Sequence, residues 1–211
     1  MPTIRNIPVK SKSGSLSSQL LALVRQQSIV RPRDLDSIGI PRQYLSRLVE
    51  SGQLERIGRG LYRLPGAEVG EYHTLAEVAK RVPKAVICLL SALRFHNLTS
   101  QSPGQVWIAL DPKARRPRLR DLPVRVVRFS GPALQKGTDT HVLQGVHVRV
   151  TTPAKTVVDC FKYRNKIGLD IALEALRQGW RERRFTIDEL WQMAQVCRVT
   201  NVMRPYLEAT V

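Results

Sequence analysis

The sequence predicts an α+β protein: an N-terminal winged helix-turn-helix followed by a mixed C-terminal domain with a small β-sheet and several helices. Two observations predict this class. Residues 32–64 change from helical to strand-like hydrophobic spacing, with glycines and a proline at the changes, and residues 70–211 contain strand-like runs followed by helical ones. We therefore expect a flexible basic tail at 1–15, a winged helix-turn-helix at 16–66 and a C-terminal domain at 70–211.

The helix-turn-helix is predicted from the order of its turn residues. Gly39 stands where a left-handed residue would end a first helix that turns Leu35 and Ile38 inward. Pro41 suits the first turn of a second helix, where its missing N–H is tolerated. The spacing of three and four residues in that second helix predicts one buried face, formed by Leu45, Leu48 and Val49.

The wing is predicted as a two-stranded hairpin after Gly52. Leu54 and Ile57 alternate with polar residues, and Gly58-Arg59-Gly60 supplies the turn before Leu61. This pattern is typical of proteins that place a helix in the major groove of duplex DNA. The residues predicted to contact DNA are Arg33, Arg42, Gln43, Tyr44, Ser46 and Arg47 on the helices and Arg56, Arg59 and Arg63 on the wing. Tyr44 fits either the core or a phosphate contact.

The charge of the chain favours a polyanionic partner. The net charge is +17, from 34 Lys and Arg against 17 Asp and Glu. Residues 1–65 carry 11 basic and 4 acidic residues, and residues 113–128 carry 7 basic residues and 1 acidic residue. The second block includes a basic segment, residues 112–120, in which Lys113, Arg115, Arg116 and Arg118, together with Arg120, are candidates for phosphate contacts; a solvated loop is the alternative.

The C-terminal domain is predicted to mix both kinds of secondary structure. A helix is expected at 71–82, and 85–98 is either a helix or a short strand leading into one. Strands are expected at 105–110, 124–129 and 146–150, followed by helices near 153–163, 168–181, 186–196 and 201–208. In the first of these four helices, Lys155 and Asp159 have the spacing of an i,i+4 ion pair.

Three segments resemble the AbiEi antitoxins of type IV toxin–antitoxin systems: LVESGQLERIGRGLYRLP (48–65), SALRFHNL (91–98) and VRVTTPAKTVVDCF (148–161). The first also heads proteins with other second domains, so the two downstream segments carry the resemblance. It implies a bacterial repressor that binds inverted repeats in its own promoter, as a monomer in solution or a weak dimer on DNA. It also implies phage defence by abortive infection, with a nucleotidyltransferase-type toxin counteracted without a stable complex. Lys155 and Asp159, where the resemblance is sharpest, are the candidates for the antitoxin function.

Residue patterns for enzyme chemistry are absent from the sequence. The four histidines lack metal-ligand spacing, no phosphate-binding glycine motif occurs, and Ser91 fits a packing hydroxyl better than a nucleophile. A fused nuclease would need Glu-x-Lys on a strand, and the three predicted strands lack it. We therefore expect no enzyme, metal or cofactor, with a DNA-binding regulator without antitoxin activity as the main alternative and a nuclease as the lesser one.

The cellular setting is predicted from what the chain lacks and from its cysteines. No apolar run is long enough for a signal peptide or a membrane span, and Cys88, Cys160 and Cys197 stand far apart in apolar surroundings. We expect a bacterial cytoplasmic protein with reduced core cysteines, associated with the nucleoid when bound to DNA.

Overall fold

A computed structural model describes residues 15–66, 70–119 and 121–209. The chain divides into two compact units, Met1–Glu68 and Val69–Val211, here called unit 1 and unit 2. The predicted basic tail lies, up to residue 14, outside the described residues. Within the described residues, no helix is both long and apolar enough to cross a membrane.

Unit 1 is a three-helix unit followed by a hairpin. Its elements are α1 (Leu16–Gln27), α2 (Pro32–Asp36), α3 (Gln43–Glu50), β1 (Glu55–Gly58) and β2 (Leu61–Arg63). The strands pair antiparallel. A β-bridge that was not predicted joins Val30 to Tyr62, whose N–H and C=O groups exchange two hydrogen bonds of 2.9 and 3.0 Å. Buried Leu20, Val24, Leu35, Leu45 and Leu48 are among the residues that form the core.

One predicted core position in unit 1 is wrong. Ile38 is 42% exposed, whereas Ile40 is only 3% exposed and takes the inward position. The reason is that α2 ends at Asp36, so Ile38 lies in the turn rather than on a helix face. Gly39 has a φ of +67° there, as predicted, and this left-handed residue redirects the chain so that Ile40 enters the core.

Unit 2 contains a five-stranded sheet and the helices that pack with it. Its helices are α4 (His73–Arg81), α5 (Leu89–Phe95), α6 (Pro132–Gln135), α7 (Pro153–Lys162), α8 (Arg164–Ile167), α9 (Leu169–Arg181), α10 (Ile187–Cys197) and α11 (Thr200–Glu208). Its strands are β3 (Val86–Ile87), β4 (Val106–Leu110), β5 (Val124–Arg128), β6 (Thr138–Leu143) and β7 (Val146–Thr151), in the order β5-β4-β3-β7-β6. The helices predicted after residue 152 are confirmed, and 85–98 proves to be a short strand leading into a helix.

The sheet of unit 2 mixes strand directions. β4 pairs parallel with β5, and β3 pairs parallel with β7, while the pairs β3–β4 and β6–β7 are antiparallel. All five residues of β4 are buried. Trp107 and Ala109 of that strand share a core with α5, α7, α9 and α10, and α4 packs on β4, β6 and β7. β3 is the short strand that was one of the two alternatives for the start of 85–98, whereas β6 was not predicted, because its alternation is weak and Val142 is exposed.

Candidate nucleic-acid interface

The outer face of α3 is polar and exposed along its length. The helical period turns Leu45 and Leu48 into the core of unit 1, and the intervening positions therefore face solvent. Of the residues predicted to contact DNA, Gln43, Ser46 and Arg47 are exposed on α3 and Arg42 is exposed directly before it. Glu50, the last residue of the helix, is exposed as well. The structure thus brings these predicted residues onto one surface.

Arg42 is not an isolated cation. Its Nη2 atom lies 2.8 Å from Oδ2 of Asp36, and its Nε atom lies 3.3 Å from Oδ1 of the same carboxylate. Hydrogen bonding to Asp36, followed by its charge, raises the pKa of Arg42. This partner could not be predicted from the spacing, because the two residues are six positions apart and meet across a turn rather than on one helix.

Tyr44 lies partly in the core, which is the first of its two predicted environments, and its phosphate contact stays a prediction. Its ring is half-buried against the core of unit 1. The guanidinium carbon of Arg47 lies 5.3 Å from the centroid of the same ring, within the range of a cation–π contact. The Tyr44 ring therefore packs against the guanidinium of Arg47, which stays exposed to solvent.

The three arginines of the wing differ in their surroundings. Arg59 is exposed in the turn between β1 and β2, where Gly60 has a φ of +69°. Arg56 is also exposed, and its Nε donates to the carbonyl of Gly58 at 3.2 Å. Arg63 is paired with Glu55 on the neighbouring strand, and its side chain is 19% exposed. The wing therefore presents Arg59 and Arg56 more openly than Arg63.

Arg33, the predicted DNA contact on α2, is exposed.

The basic segment of unit 2 is a second exposed cationic surface. Lys113, Arg115, Arg116 and Arg118 are all exposed. Asp111 shapes the start of the segment, since its Oδ1 atom accepts a hydrogen bond of 2.8 Å from the backbone N–H of Lys113. The last predicted residue, Arg120, lies outside the described residues.

The predicted pair of Lys155 and Asp159 is confirmed as an ion pair, but it is fully buried. The Nζ atom lies 2.6 Å from Oδ1, and the two side chains are 0% and 1% exposed. The ammonium also lies 4.4 Å from the ring centroid of Phe129, and Cys197 donates its S–H to Asp159 at 3.4 Å. Burial raises the pKa of Asp159, and the charge of Lys155 opposes this shift. Neither side chain is available to contact another macromolecule directly.

Ser91 and the three cysteines are buried in the core of unit 2. The hydroxyl of Ser91 is buried and accepts a hydrogen bond of 2.9 Å from the backbone N–H of Trp107. The three cysteines are buried, and burial raises the pKa of the Cys88 and Cys160 thiols well above the usual range. No group of three or more His, Cys, Asp or Glu in the described part of the chain could hold a metal ion.

Two helices joined by a tight turn, a basic outer face on the second helix and a following hairpin define unit 1 as a winged helix-turn-helix. Residues 18–65 match the family described as "Transcriptional regulator, AbiEi antitoxin", so the resemblance seen in the sequence is confirmed over this part of the chain. No protein with a curated description matches the chain.

One solved structure similar to the chain is described as the RV2827C protein from Mycobacterium tuberculosis. The sequence identity is 16%, the TM-score is 0.53, and the match covers 90% of this chain and 77% of that one. At this identity the similarity concerns the fold alone.

Proposed function

We propose that this chain is a repressor that binds promoter DNA through unit 1 and also acts as the antitoxin of a toxin–antitoxin system. The observation that carries the proposal is the exposed face of α3, with Arg42 and Arg47, beside a wing whose turn presents Arg59. Unit 1 coincides with the match to an antitoxin and transcriptional-regulator family. The partner is double-stranded DNA with an inverted repeat in the chain's own promoter.

Arg42 and Arg47 read bases in the major groove. A guanidinium donates two parallel hydrogen bonds to the O6 and N7 atoms of guanine, and each such contact discriminates by about 1–3 kcal/mol. Gln43 and Ser46 stand between them and suit adenine or backbone contacts. Arg33 at α2 and Arg56 and Arg59 on the wing contact phosphates, which fixes the register of α3 without reading sequence.

The basic segment adds phosphate contacts from unit 2. Four exposed cations on a short stretch of chain form a strong local positive potential, and each contact that neutralises a phosphate releases counterions. We assign Lys113, Arg115, Arg116 and Arg118 to this role. Their replacement lowers affinity for all duplexes alike, because phosphate contacts carry no sequence information.

The antitoxin activity is assigned to unit 2, as part of a type IV system in which the toxin is counteracted without a stable complex. Because the pair of Lys155 and Asp159 is buried, its part in this activity is to stabilise α7 and its packing against Phe129 and Cys197, not to contact the toxin. This role belongs to bacterial phage defence by abortive infection, with the protein in the cytoplasm and on the nucleoid.

The test expresses the full chain, residues 1–68 and residues 70–211 separately, with the neighbouring gene and with a promoter reporter. We expect the full chain to repress the reporter and to restore growth. Residues 70–211 should restore growth without repression, and residues 1–68 should do neither well. Circular dichroism of each fragment controls for folding. Growth rescue by residues 1–68 alone would make neutralisation purely transcriptional, and repression without any rescue would favour a DNA-binding regulator that is not an antitoxin.

A further inference from the structure

The connection between β4 and β5, residues 111–123, has an unusual construction. β4 and β5 are parallel neighbours, with Val106 opposite Val124 and Leu110 opposite Arg128. Parallel neighbours need a crossover of about a dozen residues or more, usually an α-helix. The described parts of this connection, 111–119 and 121–123, contain no helix or strand. Their shape therefore depends on anchors outside regular secondary structure.

Arg128 of β5 anchors the start of the connection. Its Nη1 atom donates to the carbonyl of Asp111 at 2.8 Å and to the carbonyl of Ala114 at 2.9 Å. The N–H of Ala114 in turn donates to the carbonyl of Asp111 at 3.0 Å. One guanidinium thus fixes both ends of the first turn of the basic segment.

Arg81 of α4 anchors the end of the connection. Its side chain is 8% exposed, and its Nη1 and Nη2 atoms each lie 2.6 Å from an oxygen of the Asp121 carboxylate. The Nη2 atom also lies 2.6 Å from Glu77, one turn earlier on α4. Arg81 therefore lies on a packed helix and forms a bidentate salt bridge with Asp121.

Between these two anchors lie the four exposed cations of the basic segment. We propose that Arg128 and the pair of Arg81 and Asp121 are positioning residues that hold the basic segment in one shape, so that its cations meet the phosphate backbone of duplex DNA already ordered. This inference rests on the proposed DNA-binding function. A loop held in its bound shape loses less conformational entropy on binding, and its affinity is correspondingly higher.

Neutralising Asp121 distinguishes the anchoring role from a simple effect of net charge, because the two predict opposite changes in affinity for DNA. Asp121 is the one acidic residue among residues 113–128, and its removal makes a basic region more basic. Charge alone predicts tighter binding to DNA when this carboxylate is neutralised. Loss of an anchor predicts weaker binding, because the segment must then be ordered by the DNA itself.

The experiment compares Asp121→Asn with Glu208→Gln in the full chain, by fluorescence anisotropy on a labelled duplex of the promoter region. Glu208→Gln is the matched control because it makes the same charge change at the exposed end of α11. We expect Asp121→Asn to weaken binding roughly three- to tenfold, while Glu208→Gln leaves it unchanged or slightly tighter. Binding by Asp121→Asn as tight as that of Glu208→Gln would overturn the proposal.

Two further measurements keep the outcome clear. Arg128→Lys conserves the charge but replaces the guanidinium, whose Nη1 atom donates to both carbonyls, with a shorter side chain that ends in an ammonium. It should therefore also weaken binding, and it tests the proposal independently of whether Asp121→Asn folds. Limited trypsin digestion reports the shape of the segment without DNA, since cleavage after Lys113, Arg115 and Arg118 should be faster in both anchor variants.

The control for the proposed function is the variant with Arg115, Arg116 and Arg118 all replaced by Ala. If it binds as tightly as the parent, the segment does not contact DNA and the present proposal fails, although unit 1 still binds. If the parent itself does not bind the duplex, the proposed function fails.

Discussion

The carboxylate of Asp36, the last residue of α2, holds the guanidinium of Arg42 at the start of α3, with Nη2 to Oδ2 and Oδ1 distances of 2.8 and 3.1 Å. The side chain of Arg42 is 62% exposed and that of Asp36 is 54% exposed, so the pair contributes little to stability. Under the proposed function the pair matters for recognition, because the Asp36 carboxylate neutralises Arg42 and would have to be displaced before Arg42 could bond fully to a base.

Neutralising Asp36 should therefore strengthen binding to DNA while reducing its selectivity. We expect Asp36→Asn to tighten binding to an unrelated duplex more than to the promoter duplex, because the freed Arg42 contacts phosphates without discrimination. Anisotropy titrations on both duplexes give the ratio of the two affinities, with Glu208→Gln as the control for net charge. An unchanged ratio would mean that Asp36 does not restrain Arg42 in recognition.

The wing supplies a second prediction, at Arg59. Arg59→Ala should weaken binding and lower the slope of log affinity against log salt by about 0.9, the value for one phosphate contact on duplex DNA. Arg25→Ala, an exposed arginine in the last turn of α1, is the matched control and should leave the slope unchanged. If Arg59→Ala has the same salt slope as the parent protein, the wing tip remains in solvent when DNA is bound.

Local signals in the sequence were sufficient for much of unit 1. Gly39 has the positive φ that its position predicted, Gly60 lies in the predicted turn of the wing, and the period of α3 correctly divided buried leucines from exposed polar residues. The inward placement of Ile38 failed because α2 ends earlier than the hydrophobic pattern implied.

Features that depend on distant residues could not be predicted. The anchors of the basic segment join α4 to residue 121 and β5 to residues 111 and 114, and no periodicity relates such positions. The i,i+4 spacing did predict the pair of Lys155 and Asp159, but its complete burial follows from the packing of Phe129 and Cys197 around it.

This buried pair makes a specific prediction for the stability of unit 2. Asp159→Ala leaves the Lys155 ammonium buried without its counterion, and we expect a loss of about 3–5 kcal/mol in the free energy of unfolding. The double variant Lys155→Met/Asp159→Leu removes both charges and should lose much less. Tryptophan fluorescence during urea unfolding measures this, because all three tryptophans, Trp107, Trp180 and Trp191, belong to unit 2. Equal losses in the single and double variants would contradict an energetic coupling of the two charges.

The surroundings of His96 predict that the stability of unit 2 depends on pH. Burial lowers the pKa of His96, although its hydrogen bond of 2.7 Å to the carbonyl of Thr151 opposes the shift. The unfolded chain therefore binds a proton more readily than the folded one. The stability contributed by neutral His96 is complete above its unfolded pKa of about 6.5 and is lost as the pH falls through the lower folded value.

We accordingly expect the urea midpoint of unit 2 to fall between about pH 7 and about pH 5, and the fall to be smaller in His96→Gln. The two proteins differ only at residue 96, so the difference between their pH profiles isolates the contribution of His96. Parallel profiles would show that His96 does not couple protonation to folding.

The most direct test of DNA recognition by unit 1 is a footprint of the promoter with the parent protein and with Arg47→Ala. We expect the parent to protect an inverted repeat. Arg47→Ala should bind it more weakly, with a loss of about 1–3 kcal/mol and a relaxed preference at one base pair in each half-site, while its affinity for unrelated DNA changes little. Parental affinity and base preference in Arg47→Ala would contradict the placement of α3 in the major groove.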